Sequence, residues 1–157
     1  QHGRRIVHRD IKLENVVLDA EWQARLIDFG AAQEVRRGER LSVLQGTPAY
    51  MAPEVLQAAA SRSGDYDPFA ADMWSLGIAL YCMCNGARIP FSGSDIRDLI
   101  RNVTHAEPPQ SPHMHVAARE LLGQLLTKAP SHRLMAEGAL HHNWLTSHRL
   151  HQKLVQR

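Results

Sequence analysis

The chain has 157 residues, of which 44% are hydrophobic and 22% are charged, and its formal net charge is +2. This length and balance predict a single domain with a hydrophobic core. The mild charge comes without a dense run of lysine or arginine, so it gives no indication of a nucleic-acid partner. The longest nearly unbroken apolar run, residues 73–84, is too short to cross a bilayer, and we expect no membrane partner.

Cysteine usage indicates a reducing environment. Cys82 and Cys84 do not share a helix face, and the sequence has no further cysteines for a disulfide framework or a zinc site. Free thiols of this kind are typical of a reducing compartment. The sequence also shows no signal-peptide pattern. We therefore expect an intracellular, cytoplasmic protein.

The first third of the chain predicts short strands and one long loop. Short runs of β-branched residues and leucine predict strands over residues 5–7, 16–18 and 24–27. Residues 31–48 show no clear period and predict a loop. A loop of that length within a compact domain is usually functional.

The remainder of the chain predicts helices. Pro53 fits the first position of a helix, where its missing N–H costs little, and Ser94 is predicted as a helix cap. The predicted helices cover residues 54–60, 72–84, 94–103, 117–126 and 136–145, and a basic polar tail follows over 147–157. The second of them is apolar nearly all round and is therefore expected to be buried. The predicted fold class is mainly α with a few short β-strands.

Three short motifs stand in order along the chain: HRDIKLEN at residues 8–15, DFG at 28–30 and APE at 52–54. In order and spacing they resemble the protein-kinase signature set. Two further segments also resemble this family, DMWSLG at 72–77 as its buried central helix, and HRL at 132–134 with HNW at 142–144 as its closing segment. The resemblance covers residues 5–146 and implies a protein-kinase-like C-terminal lobe.

The resemblance implies roles in the transfer of the ATP γ-phosphate, a reaction that needs positioning and charge neutralisation more than covalent work. Asp10 would accept the proton of the substrate hydroxyl, and Lys12 would approach the transferred phosphate. Asn15 and Asp28 would bind Mg²⁺ through oxygen atoms, and Val17 would contact the adenine. ATP and Mg²⁺ are thus the expected cofactors.

The same resemblance predicts the acceptor. The spacing Asp-x-Lys-x-x-Asn and the segment GTPAYMAPE at residues 46–54 are of the serine/threonine type. A protein substrate with a Ser or Thr hydroxyl is therefore expected. Thr47 would bond to Asp10 and Lys12, and so would tie the substrate-docking segment to the catalytic loop.

Further residues would support the site, as the resemblance implies. His8 and Phe29 would stack in the core that connects the two lobes of a kinase. Asp72 would accept backbone N–H bonds from the catalytic loop, which keeps a site rigid. Glu54 and Arg133 would form a buried ion pair.

A regulatory phosphosite is also suggested. Arg9, directly before Asp10, is the family's mark of control by phosphorylation, because it can pair with a phosphate on the long loop. The position three residues before Gly46, where many relatives carry a phosphorylated threonine, is Val43. Ser42 is the nearest hydroxyl and therefore the candidate phosphosite.

Other parts of the family's signature are not found in this sequence. It has no G-x-G-x-x-G stretch and no strand lysine of the V-A-I-K type, both of which belong to the smaller lobe that covers ATP. We therefore expect residues 1–146 to be the C-terminal lobe of a kinase domain truncated at its N-terminus, followed by the tail 147–157. Alone, the chain is expected to have negligible activity, and an N-terminal lobe would complete the site.

Two alternatives stay open. The chain also fits a kinase-derived or pseudokinase interaction module without catalysis, and an unrelated hydrolase would use Asp10 and Asp28 as a metal pair. No second acidic cluster supports the hydrolase. The complete set Asp10, Lys12, Asn15 and Asp28 favours an active kinase, because a decayed kinase tends to lose one of these residues.

Overall fold

The computed structural model describes residues 5–61, 64–109, 112 and 114–147. Over these residues the chain is mainly helical with a few short strands, which confirms the predicted fold class. The strands are β1 (Arg5–Val7), β2 (Val16–Leu18), β3 (Ala24–Leu26) and β4 (Gln33–Val35). The α-helices are α1 (Pro53–Ser61), α2 (Pro68–Cys84), α3 (Ile96–His105), α4 (Val116–Leu125) and α5 (Ala136–Leu140). None of the helices in the described residues is long and apolar enough to cross a membrane.

The strands form two antiparallel pairs. β2 pairs with β3, and β1 pairs with β4, where Ile6 lies opposite Glu34. The sequence predicts a loop throughout residues 31–48, and this prediction is wrong where β4 forms. Val35 is only 1% exposed and anchors this strand in the core. A strand of three residues, two of them polar, is too short to show the alternation that identifies a strand.

Helix α2 begins at Pro68, about one turn before the start predicted at Asp72. The carboxylate of Asp67 caps the helix by accepting hydrogen bonds from the N–H groups of Phe69 and Ala70, at 2.9 and 3.3 Å. Proline at the first helical position loses no hydrogen bond, so the Asp-Pro pair is the true start signal. Asp72 therefore lies in the second turn of α2.

Two groups of buried side chains surround α2. The larger group includes Trp74 and Phe91, whose rings stack with their centroids 5.9 Å apart. The smaller group joins α2 to α4 through Met73, Leu121 and Leu125. Close packing on several sides makes α2 a rigid base for the loops at its N-terminal end.

The N-terminal end of α3 differs from the prediction. Asp95, and not Ser94, caps the helix, because its carboxylate accepts the N–H groups of Arg97 and Asp98 at 2.8 and 2.9 Å. The hydroxyl of Ser94 donates instead to the carboxylate of Asp98. The sequence contains both capping residues side by side, so the prediction chose the wrong one.

The helix predicted over residues 136–145 consists of two helical segments. α5 ends at Leu140, and the N–H of His142 donates to the carbonyl of Ala139 at 3.1 Å in a tight turn. Residues 143–147 are helical again. The rest of the predicted basic tail, residues 148–157, lies outside the described residues.

Candidate active site

The loop between β1 and β2 is held at its start by helix α2. The carboxylate of Asp72 accepts the backbone N–H groups of His8 and Arg9, at 2.7 and 2.9 Å. Burial raises the pKa of the Asp72 carboxyl, and the two N–H bonds oppose this shift. Arg9 has a left-handed backbone (φ 65°), and its Nε donates to the carbonyl of Ala31 at 2.6 Å. The backbone around Asp10 is thereby fixed to α2 and to the segment after β3.

Three polar side chains meet directly after this anchor. Lys12 Nζ lies 2.8 Å from Asp10 Oδ2 and donates to Thr47 Oγ1 at 3.1 Å. The hydroxyl of Thr47 donates to Asp10 Oδ1 at 2.8 Å. Asp10, Lys12 and Thr47 therefore form one hydrogen-bonded cluster, which we call the Asp10 cluster.

The Asp10 cluster sets the charge state of its members. Burial alone would raise the pKa of Asp10, but the hydrogen bonds from Lys12 and Thr47 outweigh it and hold that pKa below its usual value. The bond to Asp10 likewise raises the pKa of Lys12. At neutral pH the pair is therefore a carboxylate beside an ammonium group.

Gly46 allows the long loop to approach the loop between β1 and β2. Its φ is 109°, and a Cβ at this position would lie 2.3 Å from the carbonyl oxygen of Arg9. No other residue fits both this backbone conformation and this contact. The glycine directly before Thr47 is thus required for the hydroxyl to reach Asp10.

Asn15 is buried behind the cluster, with 6% of its surface exposed. Its side-chain Nδ2 donates to the backbone carbonyl of Asp10 at 2.9 Å. Its backbone carbonyl accepts the N–H of Ile27 at 2.9 Å. The second bond brings the end of β3 beside the loop, and Asp28 follows at once. Asp28 is exposed, with a left-handed backbone (φ 61°) and a side chain that accepts the Gly30 N–H at 3.2 Å.

The oxygen atoms of Asn15 and Asp28 are of the type that Mg²⁺ prefers. The amide nitrogen of Asn15 is used in a hydrogen bond, which leaves its amide oxygen as the candidate ligand. Within the described residues, no group of three or more His, Cys, Asp or Glu side chains could hold a metal ion. A magnesium ion at these two residues thus needs further oxygen ligands, such as the phosphates of a nucleotide.

Other residues predicted for the site lie outside the Asp10 cluster. The rings of His8 and Phe29 meet edge to face, with centroids 4.9 Å apart, while Phe29 remains 57% exposed. Val17 on β2 is 39% exposed. Ser42 is exposed on the long loop. The structure gives Arg9 a bond to a backbone carbonyl and none to Ser42.

Glu54 and Arg133 form a two-pronged ion pair away from the cluster. The guanidinium nitrogens lie 2.6 and 2.9 Å from the two carboxylate oxygens of Glu54. Arg133 also donates to three backbone carbonyls, those of Ala70, Thr127 and Lys128. Every N–H of the guanidinium is thus used, and the pair connects the start of α1 to α2 and to the segment before α5.

Tyr50 belongs to the site, although the sequence analysis did not assign it a role. Its hydroxyl donates to Glu14 at 3.2 Å and accepts the Leu13 N–H at 3.4 Å. Burial raises the pKa of Tyr50 to about 12, so the hydroxyl stays protonated. The sequence signal for Tyr50 was its position within GTPAYMAPE, but that position does not indicate which residues its hydroxyl contacts.

The sequence of this chain is similar to those of one family of known proteins. The family model described as "Protein kinase domain" matches residues 1–145. A probable serine/threonine-protein kinase of Dictyostelium discoideum is 36% identical over 93% of this chain and 17% of its own length. The serine/threonine-protein kinase PEPKR2 of Arabidopsis thaliana is 35% identical over 92% of the chain and 30% of its own length.

Myosin light chain kinase family member 4 of Mus musculus is 35% identical over 98% of the chain and 39% of its own length. The chain thus spans well under half the length of these curated relatives. The family match also speaks against an unrelated hydrolase. With nearly all of its residues matched by the family model, this chain belongs to the protein kinase domain family.

Proposed function

We propose that the protein containing this chain is a serine/threonine protein kinase that transfers the γ-phosphate of ATP to Ser and Thr hydroxyls of other proteins. The observation that carries the proposal is the Asp10 cluster, in which Thr47 contacts both Asp10 and Lys12. The relatives named as serine/threonine kinases support the same acceptor class.

Asp10 would act as the base. Its carboxylate stays ionised at neutral pH, because Lys12 and Thr47 hold its pKa down. A substrate hydroxyl that donates to this carboxylate is oriented for attack on the γ-phosphorus. As the new O–P bond forms, the bond from phosphorus to the bridging oxygen breaks, ADP leaves with that oxygen, and the hydroxyl proton passes to Asp10. General-base assistance of this kind contributes a factor of about 10²–10⁴ to the rate.

Lys12 would compensate charge on the transferred phosphate. Its raised pKa keeps the ammonium protonated, and Thr47 helps to fix its direction. Asn15 and Asp28 would hold Mg²⁺, which neutralises the phosphate charge when bound. The chemistry therefore depends on pre-positioned charges rather than on a covalent intermediate.

An N-terminal lobe would complete the ATP site, with Val17 under the adenine. Three exposed apolar side chains support this, Leu18, Ile27 and Phe29, which are 57%, 41% and 57% exposed. On this proposal the 157-residue chain alone lacks half of the nucleotide site and has negligible activity. An intracellular location is part of the same proposal, supported by the free thiols Cys82 and Cys84.

Transfer of labelled phosphate from magnesium-ATP by the full-length protein tests the function. The acceptors are three peptides that differ only in Ser, Thr or Tyr at one position. We expect transfer to the Ser and Thr peptides and little to the Tyr peptide. A protein that binds partners but transfers no phosphate to any of them would support the alternative, an interaction module without catalysis.

Phosphorylation of Ser42 would regulate the enzyme. The exposure of Ser42 on the loop and the nearness of Arg9 to that loop, through Ala31, support this. In the full-length kinase, Ser42→Ala should lower the activity reached after incubation with ATP. Unchanged activity of this variant would exclude Ser42 as the activating site.

A further inference from the structure

Between β4 and Thr47, the long loop is attached to the segment that leads into α2. The backbone of Leu41 and that of Tyr66 exchange two hydrogen bonds, at 3.0 and 2.9 Å, in an isolated antiparallel bridge. The hydroxyl of Tyr66 donates to the carbonyl of Val43 at 2.9 Å. Arg40 adds two bonds to Asp65, one to its carboxylate at 2.6 Å and one to its carbonyl at 2.8 Å.

Among the residues of this contact, Tyr66 also faces the catalytic loop, which is the loop between β1 and β2 that carries Asp10. It is only 3% exposed, and it lines one small cavity together with Arg9 and Asp72. Asp72 holds the backbone of the catalytic loop at His8 and Arg9. Tyr66 therefore lies between Asp72, which holds the catalytic loop, and the segment of the long loop that precedes Thr47.

The stretch from Leu41 to Thr47 is held by hydrogen bonds at both ends. The backbones of Leu41 and Val43 are bound to Tyr66, and Thr47 is bound to Asp10 and Lys12. Along this stretch Val43 and Leu44 present their side chains to solvent, 63% and 46% exposed. Because Thr47 bonds to Asp10, this stretch leads directly to the carboxylate that receives the substrate hydroxyl in the proposed function.

We propose that Tyr66 is a positioning residue, which holds residues 41–43 against the start of α2 so that the stretch before Thr47 is presented to the substrate in one conformation. The inference rests on the proposed kinase function. Tyr66 touches no reacting atom and acts through Val43 and Thr47. Burial raises the pKa of Tyr66, so its hydroxyl remains a hydrogen-bond donor throughout the physiological pH range.

The test compares Tyr66→Phe with Tyr81→Phe in the full-length protein. Tyr81 is a matched control, because it is also buried and its hydroxyl also donates to a backbone carbonyl, that of Pro109 at 3.0 Å. Each substitution removes one hydroxyl and keeps the ring, so both variants should fold. Tyr66→Phe also keeps the two backbone bonds to Leu41.

The first readout is amide hydrogen exchange of the peptide over residues 41–47. Loss of one net hydrogen bond should make its exchange roughly fivefold faster in Tyr66→Phe and leave it unchanged in Tyr81→Phe. Equal exchange in the wild type and in both variants would overturn the proposal. This readout needs no activity, so an inactive wild-type protein would refute the proposed function and leave the test in force.

The second readout separates positioning from a general loss of structure. The KM for a protein substrate should rise at least about twofold in Tyr66→Phe, because the presenting conformation is populated less. The kcat and the KM for ATP should stay near the wild-type values. Faster exchange with an unchanged protein-substrate KM would also overturn the proposal, since Tyr66 would then be merely structural.

Discussion

The Asp10–Lys12 and Glu54–Arg133 ion pairs have similar lengths, 2.8 and 2.6 Å, but different surroundings. Arg133 is fully buried, and every donor of its guanidinium has a protein partner. Lys12 and Asp10 keep 22% and 14% of their side chains exposed, and among the described residues their main polar partner is Thr47. A saturated, buried pair stabilises the fold, whereas a pair with accessible atoms can exchange contacts with a substrate.

The surroundings also explain why the two pairs need different amino acids. Arginine has a rigid fork that binds a carboxylate with two nitrogens and still reaches backbone carbonyls. Lysine is a compact charge on a flexible stem. Lys12 bonds to Asp10 and Thr47 in the free protein, and on the proposed function it would turn towards a phosphate when nucleotide binds. The comparison therefore predicts stability effects for one pair and kinetic effects for the other.

The largest effect on stability is expected for Arg133→Met. This change leaves Glu54 without its partner and removes the donor of three backbone carbonyls, one buried and two partly buried, so the free energy of unfolding should fall by about 3–5 kcal/mol. Denaturant unfolding of the full-length protein measures this. The control is Arg25→Met, which breaks the exposed pair with Asp19 and should leave the free energy of unfolding almost unchanged. Similar losses in both variants would contradict the structural role of Arg133.

A smaller, kinetic effect is expected for Thr47→Val, which keeps the shape of the side chain and removes the hydroxyl. The hydroxyl bonds to a carboxylate and to an ammonium group, and a bond of this kind is worth about 1.5 kcal/mol or more. The phosphate-transfer rate should fall about tenfold or more. The free energy of unfolding should also fall, by less than in Arg133→Met, and the protein should stay folded. A full rate in this variant would show that the Thr47 hydroxyl is not needed by the Asp10 cluster.

The smallest effect is a change in the titration of Asp10 in Lys12→Met. Without the ammonium group the pKa of Asp10 should rise towards its ordinary value, which carboxyl NMR of the full-length protein measures. The lowered pKa of native Asp10 contributes stability above the unfolded pKa, and this contribution disappears as the pH falls through the lowered native pKa. The variant should therefore lose part of its stability near neutral pH and none in strong acid.

Arg25→Met again serves as the control, because it removes a positive charge from Asp19 and none from Asp10. The Asp10 titration should be identical to that of the wild type in this variant. A shift of Asp10 in Arg25→Met, or no shift in Lys12→Met, would show that Lys12 does not set the pKa of Asp10.

The sequence allowed the fold class and most helices to be predicted, because long apolar patterns and caps are local signals. The errors are also local in origin. Residues 33–35 are too short and polar to show a strand period, and Asp95 competes with its neighbour Ser94 for the cap of α3. The turn after Leu140 contains no glycine or proline, the residues that would have indicated it in the sequence.

The candidate site divides in the same way. Asp10, Lys12 and Asn15 lie within six positions, so their pattern can be recognised in the sequence. Contacts between distant segments leave no such trace, and the roles of Asp72 and of Glu54 with Arg133 came only from the family resemblance. The bonds of Tyr66 to the long loop follow neither from a motif nor from a period, because tertiary packing alone creates them.

The most direct test of the central claim is the rate of phosphate transfer to a serine peptide by full-length Asp10→Asn at saturating magnesium-ATP. The amide keeps the shape of the carboxylate but cannot accept the proton, so we expect a loss of about 10²–10⁴ in kcat. The free energy of unfolding should fall only as far as loss of the bond to Lys12 lowers it. Asp98→Asn, in α3 and bound to Arg101 rather than to the Asp10 cluster, should keep the full rate. A kcat of Asp10→Asn within a few fold of the wild type would contradict the account, because the Asp10 cluster would then not be the catalytic centre.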